Sequence, residues 1–316
     1  MTGLELYAPR KPRHRRTWTA AALVLAILFV TLGQILAAVP AIISGLMNAG
    51  ESTATWPQLA YILIAAFGFG AAIVIGWVVA FERRGLREIG FNGSGLKRFA
   101  RGYLVGLTFL ALVVGSIWLA GGYALEGAGA FGAANVGAAL LPIIVLLFGF
   151  IVQGSTEEIF FRGWVMQLIA SRHGLWLAVI LNSAVFALMH AANIKPSQEL
   201  YLGLVNIVLF GVFISLYAAR EGSLWGVCGW HAAWNWLLGL GFGLEVSGQV
   251  VPTAPLIADL STNADVPWWI TGAAFGPEAS VITTAVLLAG AVVLVVRGRT
   301  RDFGVETADA APSQAV

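Results

Sequence analysis

The stretch GAALLPIIVLLFGFIVQGSTEEIFFRGWVMQLIA, residues 137–170, is apolar over more than the roughly 17–25 residues that cross a bilayer. Well inside it sit two adjacent glutamates, Glu157 and Glu158, and Arg162. Such a run needs lipid as its solvent. An ionisable residue within it costs several kcal/mol unless partnered, so each charge is a functional candidate.

Seven further apolar runs flank this one, at Thr17 to Met47, Leu59 to Phe81, Phe99 to Tyr123, Leu175 to His190, Leu200 to Ala219, Leu224 to Phe242 and Ser280 to Val296. Of the 316 residues 59% are hydrophobic, and the charged share is 11%, against about a quarter in soluble domains. The mean hydropathy is +0.84. The expected fold is therefore all-α: a polytopic membrane protein of about eight transmembrane helices with a four-helix core. Its expected parts are a basic cytosolic segment (1–16), N-terminal transmembrane helices (17–136), the core (137–243), an extracytoplasmic loop (244–279), and a last helix with a cytosolic tail (280–316).

A net charge of +2 gives no reason to expect a nucleic-acid partner, and the single cysteine, Cys228, rules out an internal disulfide and any CxxC metal motif. Arg10, Lys11, Arg13, Arg15 and Arg16 precede the first run like the basic start of a signal peptide. That run is about twice the usual apolar region of a signal peptide, so it reads as a retained helix, kinked near its far end by Pro40. Threading the runs alternately puts Arg83, Arg84, Arg87, Lys97, Arg98, Arg101, Arg162, Arg172, Arg220, Arg297, Arg299 and Arg301 on the N-terminal side. Only Lys195 falls opposite, together with Glu51, Glu126, Asp259, Asp265 and Glu278. The positive-inside rule then places both termini in the cytosol, with a bacterial plasma membrane as the expected address. Glu245 to Ala279, with Pro252, Pro255, Pro267, Trp268 and Trp269, reads as an interfacial connector, and Glu306 to Val316 as a disordered tail.

At about 100° per residue, Glu158 and Arg162 share a helix face, and Glu157 points about 100° away. Glu158 thus has a built-in ion-pair partner, and Glu157 is left aimed at another helix. The fifth run ends in Phe186 to His190. Glu157 and His190 are nearly equidistant from the turn around His173, so antiparallel helices carry both to a similar depth, about 25 Å from it at 1.5 Å per residue. In the seventh run His231 and Asn235 lie four apart on one face. His231 is only about 13 Å past the Arg220 turn, so tilt or uneven helix ends must bring it level with Glu157.

These segments resemble the CPBP family of intramembrane proteases, which includes the CAAX-processing Rce1-like enzymes and the bacterial Abi or bacteriocin-immunity proteins. The family's EExxxR, FxxxH and HxxxN motifs correspond to Glu157, Glu158 and Arg162, to Phe186 and His190, and to His231 and Asn235, over about Ile143 to Leu238. The resemblance implies peptide-bond hydrolysis: Glu157 and His190 activate a water, His231 and Asn235 stabilise the oxyanion, and Glu158, Arg162 and Phe186 give structural support. The implied partners are a membrane-associated peptide or protein substrate and the lipid bilayer. The family has often been called a metalloprotease. No HExxH occurs here, and a zinc ion, if one is bound, would fall to Glu157, His190 and His231; metal-free water activation is the preferred reading. A rhomboid-like serine loop and a presenilin-like GxGD aspartate are both absent. The rival readings are a proton-coupled transporter, which also uses buried Glu/His/Arg sets, and a catalytically idle scaffold or immunity protein.

Overall fold

The computed structural model of the chain describes residues 3–48, 55–298 and 302. Glu51, Arg299, Arg301 and the tail Glu306 to Val316 lie outside the described residues. Each apolar run is a helix: α1 (Thr19–Ile43), α2 (Trp56–Ala80, π-helical over Ile62–Ala66), α3 (Gly95–Leu119) and α4 (Val136–His173, π-helical over Ile159–Val165). There follow α5 (Leu175–Leu188), α6 (Gln198–Glu221), α7 (Trp225–Trp236, continued by a π-helical turn, Leu237–Gly241) and α8 (Val281–Arg297). Five of them, α1 to α4 and α6, are long and apolar enough to cross a membrane; α5, α7 and α8 are shorter. Two short strands, β1 (Tyr123–Gly127) and β2 (Asp259–Thr262), pair antiparallel in this otherwise helical membrane protein.

Val24, Ile43, Leu96, Leu104, Leu119, Ile144 and Val296 stand exposed on helix faces, a belt that suits lipid and would aggregate in water. Lipid tails are as apolar as leucine, so inward faces are selected by size rather than polarity. In α1 the buried positions Ala22, Ala26, Phe29, Gly33, Ala37 and Ala41 recur at helical spacing and are nearly all small. A Cβ on Gly33 would lie 2.8 Å from the Gly70 nitrogen of α2. Pro40 does not end α1, which continues to Ile43. The closest seam joins α3 to α7, where a Cβ on Gly102 would strike the Gly226 carbonyl and one on Gly229 the Phe99 carbonyl.

The helix ends sort as alternating threading requires. At the basic end Leu4 bonds Ala170, Arg15 bonds Glu82 and Leu224 bonds Gly90, each backbone N–H donating over 2.9 Å. At the other end Ala130 N–H donates to Pro255 O (2.7 Å), Asn193 Nδ2 to Ser247 O (2.9 Å) and Asn206 Nδ2 to Glu278 O (2.7 Å). Arg84 and Arg162, counted toward the basic end, are buried rather than free surface charges. Arg84 pairs at 2.9 Å with the fully buried Glu82, which also accepts from Thr17 Oγ1 (2.6 Å) and Trp164 Nε1 (3.0 Å) and so joins α1, α2 and α4. Arg162 is wholly buried inside α4.

Residues 245–279 form more than a connector. β2 adds to β1, a helical turn forms at Trp268–Thr271, and Phe275 and Ala279 are fully buried. The Glu278 carboxylate accepts from Ser247 Oγ (2.8 Å) and from Trp234 Nε1 of α7 (3.0 Å), which fixes this cap to a core helix.

Candidate active site

α4 changes character along its length. Leu141, Ile144 and Phe148 face outward, whereas every residue from Glu158 to Ala170 is buried. Gly174, at φ +86°, turns the chain within one residue into α5. The two helices therefore run back to back. Phe161 meets Phe186 edge to face at 5.0 Å between centroids. Glu157 lies one turn beyond Phe161 along α4, and His190 four residues beyond Phe186, past the last residue of α5, Leu188.

The shallow placement of His231 is resolved by uneven helix ends. A Cβ on Gly163 would stand 2.9 Å from Leu224 Cδ1, so the α6–α7 turn is level with Gly163 rather than with His173. From that height Glu157 is six residues along α4 and His231 seven along α7. At Gly154 the two helices nearly touch: a Cβ there would lie 3.1 Å from the Ala232 nitrogen and 3.3 Å from His231 Cβ.

That approach inserts His231 between the glutamates. Its Nδ1 is 2.8 Å from Glu158 Oε1, and its Nε2 is 3.5 Å from Glu157 Oε2. Nδ1 thus has a carboxylate acceptor for its N–H, and Nε2 faces the Glu157 carboxylate without a hydrogen bond to it. Glu158 also receives Arg162 NH1 at 3.1 Å, both side chains fully buried, so the ion pair read from the i, i+4 spacing is present. The guanidinium donates further to Ser215 Oγ (3.4 Å) and the Gly211 carbonyl (3.5 Å), and lies 4.6 Å from the Phe186 ring centre. Asn182 Nδ2 supports Ser215 at 3.1 Å. Phe186 also neighbours His190 (4.8 Å) and His231 (6.2 Å between ring centres).

His190 sits just past the end of α5. Its Nδ1 is 2.9 Å from the Phe186 carbonyl; a carbonyl only accepts, so this nitrogen carries a proton. No ion pair within 4.0 Å joins His190 to Glu157 among the described residues. Asn235 does not touch Glu157 directly either. Its Nδ2 donates to Gln153 Oε1 (2.9 Å), and Gln153 Nε2 donates to Glu157 Oε1 (2.6 Å).

Gln153 is absent from the sequence-based set, although a buried amide four residues before Glu157 in an apolar helix was a visible signal. Glu157 Oε2 and Glu158 Oε2 are buried without hydrogen-bond partners. Among the described residues no three His, Cys, Asp or Glu side chains are placed to share an ion. The zinc assignment to Glu157, His190 and His231, and with it the metalloprotease label, therefore finds no support in this donor arrangement.

Residues 139–237, less than a third of the chain, match the family model described as type II CAAX prenyl endopeptidase Rce1-like. The match contains every residue of the cluster above. An uncharacterized protein, YyaK, of Bacillus subtilis (strain 168) is 30% identical over 89 residues, 28% of this chain and 29% of that protein. The similarity thus spans under a third of the relative's length.

Proposed function

From the premise that residues 139–237 carry an Rce1-like domain of the CAAX protease family, we propose that the protein is an intramembrane endopeptidase that cleaves membrane-anchored or CAAX-like peptides. One observation carries this reading. Glu157, held at Oε1 by Gln153, presents a buried Oε2 with no hydrogen-bond partner 3.5 Å from His231 Nε2. A water held between Glu157 and His190 satisfies both groups.

In the proposed reaction Glu157 takes a proton from this water as its oxygen bonds to the scissile carbonyl carbon. His190 Nε2 accepts the water's other hydrogen and so orients it. Negative charge moves onto the carbonyl oxygen, where His231 Nε2–H and the second amide hydrogen of Asn235 serve as donors in a dry site. The tetrahedral adduct collapses with cleavage of the C–N bond, and Glu157 returns its proton to the leaving amine. No step requires a metal.

The test uses a quenched fluorogenic peptide with a membrane anchor, incubated with purified protein in liposomes. The wild type is expected to cleave it, and Glu157→Gln to cleave it at least about a thousandfold more slowly, on the scale of a lost general base together with its oriented water, with an unchanged thermal midpoint. Equal rates in the two proteins would rule the proposal out.

A further inference from the structure

Gln153 is 7% exposed, at the end of the apolar stretch of α4 that precedes the glutamates. A buried primary amide is costly unless its groups are bonded. Here one side-chain oxygen accepts from Asn235 Nδ2 at 2.9 Å, and the side-chain nitrogen donates to Glu157 Oε1 at 2.6 Å. A primary amide accepts from Asn235 through its oxygen and donates to the Glu157 carboxylate through its nitrogen, which an apolar side chain of the same length cannot do. Leucine or methionine would fill the same space without the desolvation cost, so packing does not account for the residue.

Resting on the peptidase reading above, we infer that Gln153 is a positioning residue that sets the rotation of the Glu157 carboxylate and ties it to Asn235 on α7. With Oε1 held, the carboxylate cannot swing, and Oε2 stays directed at His231 Nε2 and the water position. The same bond fixes which face of the Asn235 amide remains for the substrate. Base and oxyanion donor, 78 residues apart in sequence, are then aligned through one side chain. The charged and titratable groups around Glu157 are His231 on α7, and Glu158 and Arg162 on α4, with His190 beyond α5.

Two variants of matched size test this in liposomes with the same anchored peptide. Gln153→Met keeps the volume and removes both hydrogen bonds; kcat is expected to fall about ten- to a hundredfold with KM within about twofold, the loss for a mispositioned base. Gln153→Glu sets a second carboxyl against Glu157, so the facing acids share a proton at low pH and repel once it is lost. Its kcat is therefore expected to fall steeply with rising pH, while that of Gln153→Met does not. A packing role would move neither KM-independent turnover nor the pH profile. Wild-type kcat in Gln153→Met, or a wild-type pH profile in Gln153→Glu, overturns the positioning role. Glu157→Gln, run in parallel, separates the two failures: if it is inactive while Gln153→Met is fully active, only the inference about Gln153 falls, and if it cleaves normally the peptidase reading falls with it.

Discussion

Glu158 and Glu157 are neighbours with opposite environments, and the difference decides what each can do. Glu158 has no exposed surface and holds both Arg162 and His231; Glu157 retains 15% side-chain exposure and touches no arginine. Removing Glu158 leaves a buried guanidinium without its counter-charge, a change that costs about 3–5 kcal/mol. Glu158→Ala is accordingly expected to lower the thermal midpoint and the folded yield in detergent, and Glu157→Ala to leave both near wild type. Equal midpoints for the two variants would contradict this division. Arg162 shows why the pair tolerates burial: Ser215, the Gly211 carbonyl and the Phe186 face occupy the remaining sides of the guanidinium.

At the scale of elements, the site depends on how closely α7 lies against its neighbours. Gly229 is two residues before His231, and a Cβ on it would meet the Phe99 carbonyl of α3, a backbone atom that cannot rotate away. Gly229→Val is therefore expected to displace α7, costing about 1–3 kcal/mol or more as overpacking does, and to abolish cleavage by moving His231 off the glutamates. Gly115, also on α3, has open space around its Cβ position. Gly115→Ala is expected to keep full cleavage and to gain up to about 1 kcal/mol in helix propensity. Thermal shift and turnover on both variants check the contrast, and a folded, active Gly229→Val protein would refute it. The π-helical segment Ile159–Val165, all of it buried, follows directly after the glutamates, where such segments tend to occur in functional helices.

For the whole molecule, the sorted helix ends divide the chain into a basic face and a capped face. On the basic face Arg83 and Arg87 remain without a carboxylate partner among the described ion pairs. The capped face carries the β1–β2 pair and the Glu278 anchor. The proposal that both termini are cytosolic follows from the positive-inside rule applied to this division. Fusions of alkaline phosphatase and a fluorescent protein after Arg220 and within residues 245–279 are expected to report opposite sides. Phosphatase activity from the Arg220 fusion would reverse the orientation.

The sequence by itself marked the apolar runs that fold as helices, five of them long and apolar enough to cross a membrane, because a bilayer accepts backbone only when its hydrogen bonds close within the segment, and apolar length records that requirement. It also determined the Glu158–Arg162 pair, whose i, i+4 spacing is a property of one helix. Tertiary structure decided the rest. The level of His231 depends on Leu224 meeting Gly163 rather than the end of α4, a contact between helices that no local spacing encodes. The position of His231 between two carboxylates, the link from Asn235 through Gln153 to Glu157, and the burial of Arg84 on Glu82 likewise join residues distant in sequence. Small residues in lipid reveal that helices approach closely but not which helix is the partner, and the site is built from those approaches.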